Sequence, residues 1–126
     1  MGQIQAAKDV EAQLTSIKAS GKFEAREMLD WLMRYYEGEV TKFILWDFAQ
    51  ADLSALKTEE LRGFAAEARV HAQSRKGGKT ALVFSRDSDF GLGRLFEALA
   101  EMEEVPFTVR SFRSMKKAKE WLGLEA

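Results

Sequence analysis

Cysteine is absent from the 126 residues. Disulfides and thiolate metal sites are thereby excluded, and a reducing compartment is compatible with the chain. Histidine occurs once, as His71. A metal site built on two histidines is excluded, as is any serine–histidine pair that does not use His71. Proline also occurs once, as Pro106, so no proline-rich linker divides the chain. No stretch approaches the roughly 20 apolar residues that span a bilayer. Met1 to Val10 contains Lys8 and Asp9 and no apolar run, unlike a signal peptide. A cytoplasmic protein with no membrane span is therefore expected. An excess of one charge is lacking too: 19 basic and 20 acidic side chains leave a net charge of -1. Without a basic excess to release phosphate counterions, no nucleic-acid partner is expected.

What remains is a globular composition, 46% hydrophobic and 31% charged. The length suits a single domain, and residues 1–126 are read as one. Lys42 to Asp47 and Thr80 to Phe84 are apolar at successive positions, the pattern of strands covered on both faces. Phe107 to Phe112 alternates Phe107 and Val109 with Thr108 and Arg110, which predicts a strand with one wetter face near a sheet edge. Ala12 to Ala19, marked by Leu14 and Ile17, is read as an earlier strand, paired as a hairpin with Gln3 to Ala7. Helical spacing of apolar residues runs over Ala25 to Glu37, closed by Gly38, and over Thr58 to Ser74, with Thr58 as N-cap. It recurs over Phe90 to Glu103 and again after Ser114, which caps a last helix. Strands alternate with helices, so the fold class is α/β: a mixed, mainly parallel sheet of four to five strands with about four helices.

Ligands of such sheets bind outside the carboxyl ends of the strands. The loops expected there carry Asp47, Asp52, Ser54, Ser85, Arg86, Asp87, Ser88, Asp89 and Arg113, and Arg94 lies close enough in the following helix to reach the rim or face water. This rim is the candidate ligand or partner surface. The same residue types also cap helices and solvate loops without any further role. Asp47, at the end of an apolar strand, suits bonding to nearby loop amides better than phosphoryl transfer, because no second carboxylate for magnesium accompanies it. No catalytic set, metal site or cofactor is identified. An enzyme built on Asp47 with loop hydroxyls has no partner pair to support acid–base chemistry.

Three further features point to structure. Gly77-Gly78-Lys79-Thr80 lacks the first glycine of a P-loop, a position held by Gln73, and its helix-then-strand order is reversed. Its glycines are read as a helix end and tight turn. Gly91 and Gly93 lack the third glycine of a dinucleotide fingerprint and are read as allowing close helix–sheet approach. Trp31, Trp46 and Trp121 are read as core or core-edge residues. Tyr35 and Tyr36 are adjacent, and only one of them is expected to face the core.

Several segments, in order, resemble the SpoIIAA-like family of bacterial proteins in the STAS and Sec14-like group. They are Lys42 to Phe48 (KFILWDF), Ala51-Asp52-Leu53-Ser54, Gly78 to Val83, Phe90 to Arg94, Val109 to Phe112, and Ala118 to Gly123 (AKEWLG). The resemblance covers the chain from about Ala12 onward. It implies a mixed sheet of four or five strands and a non-enzymatic regulatory or protein-interaction role with an as yet unidentified protein partner. It also implies an alternative, a module binding a small lipid-like or anionic ligand at the rim. Family members of the anti-sigma antagonist type are switched by phosphorylation of a serine in an Asp-Ser-Ser-Gly type motif. Here the corresponding stretch reads Asp52-Leu53-Ser54-Ala55-Leu56-Lys57-Thr58, so the usual phosphoswitch is not expected. A twofold homodimer is compatible with a domain of this size.

Overall fold

The computed structural model describes residues 1–124. Five strands form one sheet in the order β1-β2-β3-β4-β5: β1 (Gln3–Asp9), β2 (Leu14–Lys22), β3 (Phe43–Asp52), β4 (Lys79–Val83) and β5 (Thr108–Phe112). β1 and β2 form an antiparallel hairpin, and every other neighbouring pair is parallel. Four helices intervene: α1 (Ala25–Glu37), α2 (Thr58–His71), α3 (Asp87–Met102) and α4 (Met115–Trp121). The predicted α/β class and mixed, mainly parallel sheet are those observed.

The period-2 alternation of β3 and β4 sorts the core into two layers. Ile44, Trp46, Phe48 and Leu82 face the layer of α1, α2 and α3. Leu45, Ala81 and Val83 face the opposite layer, where α4 covers them through Ala118 and Leu122. Aromatic rings dominate the larger layer. Phe48 stacks on Trp46 at 5.0 Å and on Phe84 at 5.5 Å, and Trp31 meets Trp46 edge-on at 5.2 Å. The edge position of β5 follows its alternation, with Val109 buried and Thr108 and Arg110 exposed.

Several boundaries differ from those expected. β3 continues to Asp52 because its last residues pair with β2 through Ser20, Gly21 and Lys22, beyond the point where β4 ends. Thr58 is the first helical residue of α2, not its cap. The Lys57 N–H there donates to Glu60 Oε1 at 2.8 Å. α2 ends at His71 and is followed by a 3-10 turn over Gln73–Arg75. α3 begins at Asp87, so Asp87 and Asp89 occupy its first turn, where acidic side chains suit the helix dipole. Gly38 and Ser114 cap as expected, the latter accepting from the Lys117 N–H.

The two α3 glycines are not equivalent. A Cβ on Gly93 would lie 2.4 Å from Phe84 Cε2 and 2.5 Å from Ser111 Oγ, whereas one on Gly91 meets nothing within 4 Å. Close packing on the sheet therefore depends on Gly93 alone, because Gly91 faces outward. Gly93→Ala is expected to destabilise the fold by about 1–3 kcal/mol through overpacking. Gly63→Ala, on the open face of α2 where a Cβ meets nothing, is expected to stabilise it by about 0.5–1 kcal/mol. Urea unfolding of both variants checks the contrast, and equal effects would contradict it.

Candidate functional site

The expected rim forms at the carboxyl ends of β3 and β4, but as a set of cross-links. β4 stops short of the end of β3, leaving carbonyls of β3 without a strand neighbour on that side. Side chains from the β4–α3 segment take them: Ser85 Oγ donates to the Ala49 carbonyl at 2.8 Å, and Arg86 Nη2 to the Ala51 carbonyl at 3.1 Å. Arg86 also holds the buried Asp89 carboxylate at 3.0 Å. Arg113 pairs with Asp87 and donates to the Ser85 carbonyl at 2.7 Å. Ser88 is exposed in the same helical turn. Ser54 donates through both its hydroxyl (2.6 Å) and its N–H (3.0 Å) to Asp52 Oδ1, and these bonds lower the Asp52 pKa below the ordinary carboxylate value.

Two candidates lie away from this rim. Asp47 is mid-strand and projects onto the α4 side of the sheet, beside Lys18, Met115 and Lys119. Its Oδ1 accepts from the Ala49 N–H at 3.0 Å. The strand extends past it, so it does not reach the rim loops. Arg94 lies two turns into α3, where its Nε is 3.6 Å from Glu97 Oε2 on the same helix. Among the described residues no group of three or more Asp, Glu or His is placed to hold a metal ion.

The other end of the sheet holds an arrangement that sequence reading missed. Between the sheet and α1, α2 and α3 lies an apolar cavity of about 100 Å3, walled by residues such as Met28, Trp46, Phe48, Phe64, Leu82 and Phe96. At the amino ends of β3 and β4 its lining turns polar, with Arg75, Thr80 and Tyr36. Arg75 is only 1% exposed, yet it has no carboxylate partner among the described residues. Its Nε donates to the Thr41 carbonyl at 2.8 Å, and its Nη2 donates to the carbonyls of Lys42 (3.1 Å) and Lys79 (3.0 Å). Its guanidinium lies 4.1 Å from the centre of the Phe107 ring. Burial pulls its pKa down to about 10, so it remains a cation at neutral pH. Thr80 is 4% exposed, and its Oγ1 has no hydrogen-bond partner.

Tyr35 and Tyr36 both face inward, contrary to expectation. Consecutive helical residues diverge by about 100°, and α1 has the sheet on one side and α2 on the next. Tyr35 OH accepts from the Thr41 N–H at 2.9 Å and lies 3.4 Å from Thr15 Oγ1, while Tyr36 lines the cavity and stacks with His71 at 6.1 Å. Burial pushes the Tyr36 phenol up to about 12.

The whole backbone arrangement has a counterpart among solved structures. An uncharacterised protein of the DUF3478 family from Shewanella loihica PV-4, with a SpoIIAA-like fold, superposes with a TM-score of 0.57 over 96% of this chain and 93% of that one, at 16% identity. The chain has a SpoIIAA-like fold. No protein-family model matches it, and no curated protein matches it. In this SpoIIAA-like fold the stretch expected to correspond to the serine motif, Asp52 to Thr58, is the β3–α2 connection, and Ser54 is bound to Asp52 there.

The signals for the cavity's polar end were present but small. Thr80 is the one hydroxyl in an apolar strand, and Arg75 sits between a helix and two glycines, where it reads as a solvated helix end. Gly78 is what lets that turn close, since a Cβ there would lie 2.0 Å from the Lys42 carbonyl oxygen.

Two predictions follow from these burials. Thr80→Val removes an unpartnered buried hydroxyl and is expected to raise unfolding stability by about 1–2 kcal/mol. A loss of stability in denaturant titration would show that the hydroxyl is satisfied in solution. The Tyr36 pKa is higher in the folded chain than the ordinary 10.0. Its stabilising contribution is therefore complete below pH 10 and lost as pH rises from 10 toward 12. Tyr36→Phe is expected to remove roughly 2 kcal/mol of that alkaline loss. Urea unfolding at pH 9 and 11.5 measures it, and parallel losses in variant and parent would refute it.

Proposed function

We propose that this chain is a non-enzymatic regulatory domain of STAS type whose working element is the apolar cavity between the sheet and the helices, holding a small apolar or amphiphilic molecule. The observation that carries this reading is the apolar space between the sheet and three helices, lined almost wholly by aromatic and aliphatic side chains. Close-packed interiors leave few voids larger than a water molecule. A dry apolar space of about 150 Å3 accepts a molecule the size of benzene; the space here, about 100 Å3, is smaller but partly open to solvent. Ligand sites have this character, mostly apolar with a small number of convergent polar groups. The location moves from the strand carboxyl-end rim into the layer beneath α1, α2 and α3. At the rim, Asp52, Ser54, Ser85, Arg86 and Asp87 are engaged with one another, with Arg113 and with strand-end carbonyls, which leaves the rim less suited to a small ligand. A protein partner docking on the rim is the second reading, and it is favoured by the SpoIIAA-like fold.

The test uses neutral probes. 1-Hexanol and benzyl alcohol are expected to raise the midpoint of thermal unfolding in a dose-dependent way, and native mass spectrometry of freshly purified protein is expected to show a bound small molecule. Ala68→Leu, which adds bulk at a buried lining position, is expected to abolish both effects while the protein stays folded. A bare mass together with no thermal response to either probe would refute the reading.

A further inference from the structure

We infer that the cavity's ligand is a small monoanionic amphiphile, a carboxylate with a single ring or a short alkyl chain, whose head group sits at the amino ends of β3 and β4 against Arg75, Thr80 and Tyr36. The inference rests on the reading of the cavity as a binding site and adds the chemistry of its occupant.

Hydrogen-bond counting carries the argument. A guanidinium offers five N–H donors. Three are taken, one on Nε by Thr41 and two on Nη2 by Lys42 and Lys79. Nη1 keeps two, with no acceptor among the described residues. Thr80 Oγ1 is buried with no partner, and Tyr36 lines the same end of the cavity. Arg75, Thr80 and Tyr36, which together carry up to four such donor hydrogens, all line the polar end of an otherwise apolar cavity. An ionised carboxylate is acceptor-only, with about four lone-pair sites.

Charge points the same way. A cation buried without an anion is costly, and in this site only carbonyl dipoles and the face of Phe107 compensate it. An incoming anion supplies the missing counter-charge inside a low-dielectric wall, where charge-assisted hydrogen bonds are strongest. A neutral alcohol of the same shape fills the apolar part but offers one oxygen and no charge to the same donors. A dianion would exceed the single charge available. The cavity size limits the tail to a ring or a short chain.

Calorimetry of the full chain at pH 7.5, with hexanoate against 1-hexanol and benzoate against benzyl alcohol, tests this. Each carboxylate is expected to bind about tenfold or more tightly than its alcohol. Arg75→Met removes three carbonyl contacts and is expected to impair folding, so the decisive variants are Thr80→Val and Tyr36→Phe. Each is expected to weaken carboxylate binding about fivefold, with alcohol binding unchanged or stronger. Alcohols that bind as well as carboxylates would overturn the inference and leave the cavity reading standing. Carboxylate binding untouched in both variants would place the anion elsewhere and also overturn it. No binding by any of the four probes would overturn both.

Discussion

Arg75 ties the amino ends of β3 and β4 together. At the strand starts the carbonyls of Thr41, Lys42 and Lys79 converge on one guanidinium, and that of Lys42 also accepts from the Lys79 N–H. The 3-10 turn after α2 brings Arg75 into place, and Gly78 lets that turn approach Lys42. Beside it a hydroxyl network closes the same end of the sheet: Thr15 Oγ1 lies 2.8 Å from Thr41 Oγ1, which donates to the Phe43 carbonyl, while Tyr35 accepts from the Thr41 amide. The start of β3 is thus held by polar contacts from β2, α1 and the α2–β4 turn at once. The aromatic layer built on Trp46, Phe48 and Phe84 packs from that anchored end.

The opposite end of the sheet is closed by different means. There β3 outruns β4, and the carbonyls left over are taken by side chains of Ser85 and Arg86, with Arg113 bracing the loop from beyond β5. This gives a physical account of why that segment is rich in serine, aspartate and arginine: such residues serve where a ladder stops and a helix begins. It also separates the two ends in chemical character. At the carboxyl end the polar groups of the rim loops bond to one another, while Ser111 Oγ on β5 is buried without a partner. At the amino end two buried residues that line the cavity, Arg75 and Thr80, carry donors with no acceptor among the described residues.

Most of the architecture was legible from residue patterns. The apolar runs at Phe43–Trp46 and Ala81–Phe84 are the central strands, the alternation around Val109 marks an edge, and the apolar spacing in α1, α2 and α3 finds the inner helix faces. The failures are local and have causes. Asp47 reads as a strand end because a carboxylate follows four apolar residues, yet pairing with β2 carries the strand on to Asp52. The site was much less legible. A cavity is a property of how side chains fail to meet across elements, and no single residue type announces it. Arg75, between a helix and Gly77-Gly78, has the sequence context of a solvated helix terminus. Its burial depends on a turn that only the tertiary structure reveals.

A buried arginine without a carboxylate partner among the described residues needs a reason beyond its three carbonyl contacts. Buried charges are commonly no more stabilising than well-packed apolar replacements, and a guanidinium without a carboxylate is the less favourable case. The carbonyls it serves lie at strand starts, where main-chain or neutral side-chain donors are the usual solution. Lysine could neutralise the same dipoles but lacks the planar fork that reaches Thr41, Lys42 and Lys79 together. Geometry alone therefore favours arginine over lysine, yet it does not account for the two N–H groups on Nη1 left at the cavity, nor for a threonine in place of valine at position 80 on the inner face of β4. Each costs stability in the empty protein. On the proposed reading, their coincidence at one end of one cavity reflects a single requirement: the cavity recognises a polar atom that the chain does not provide.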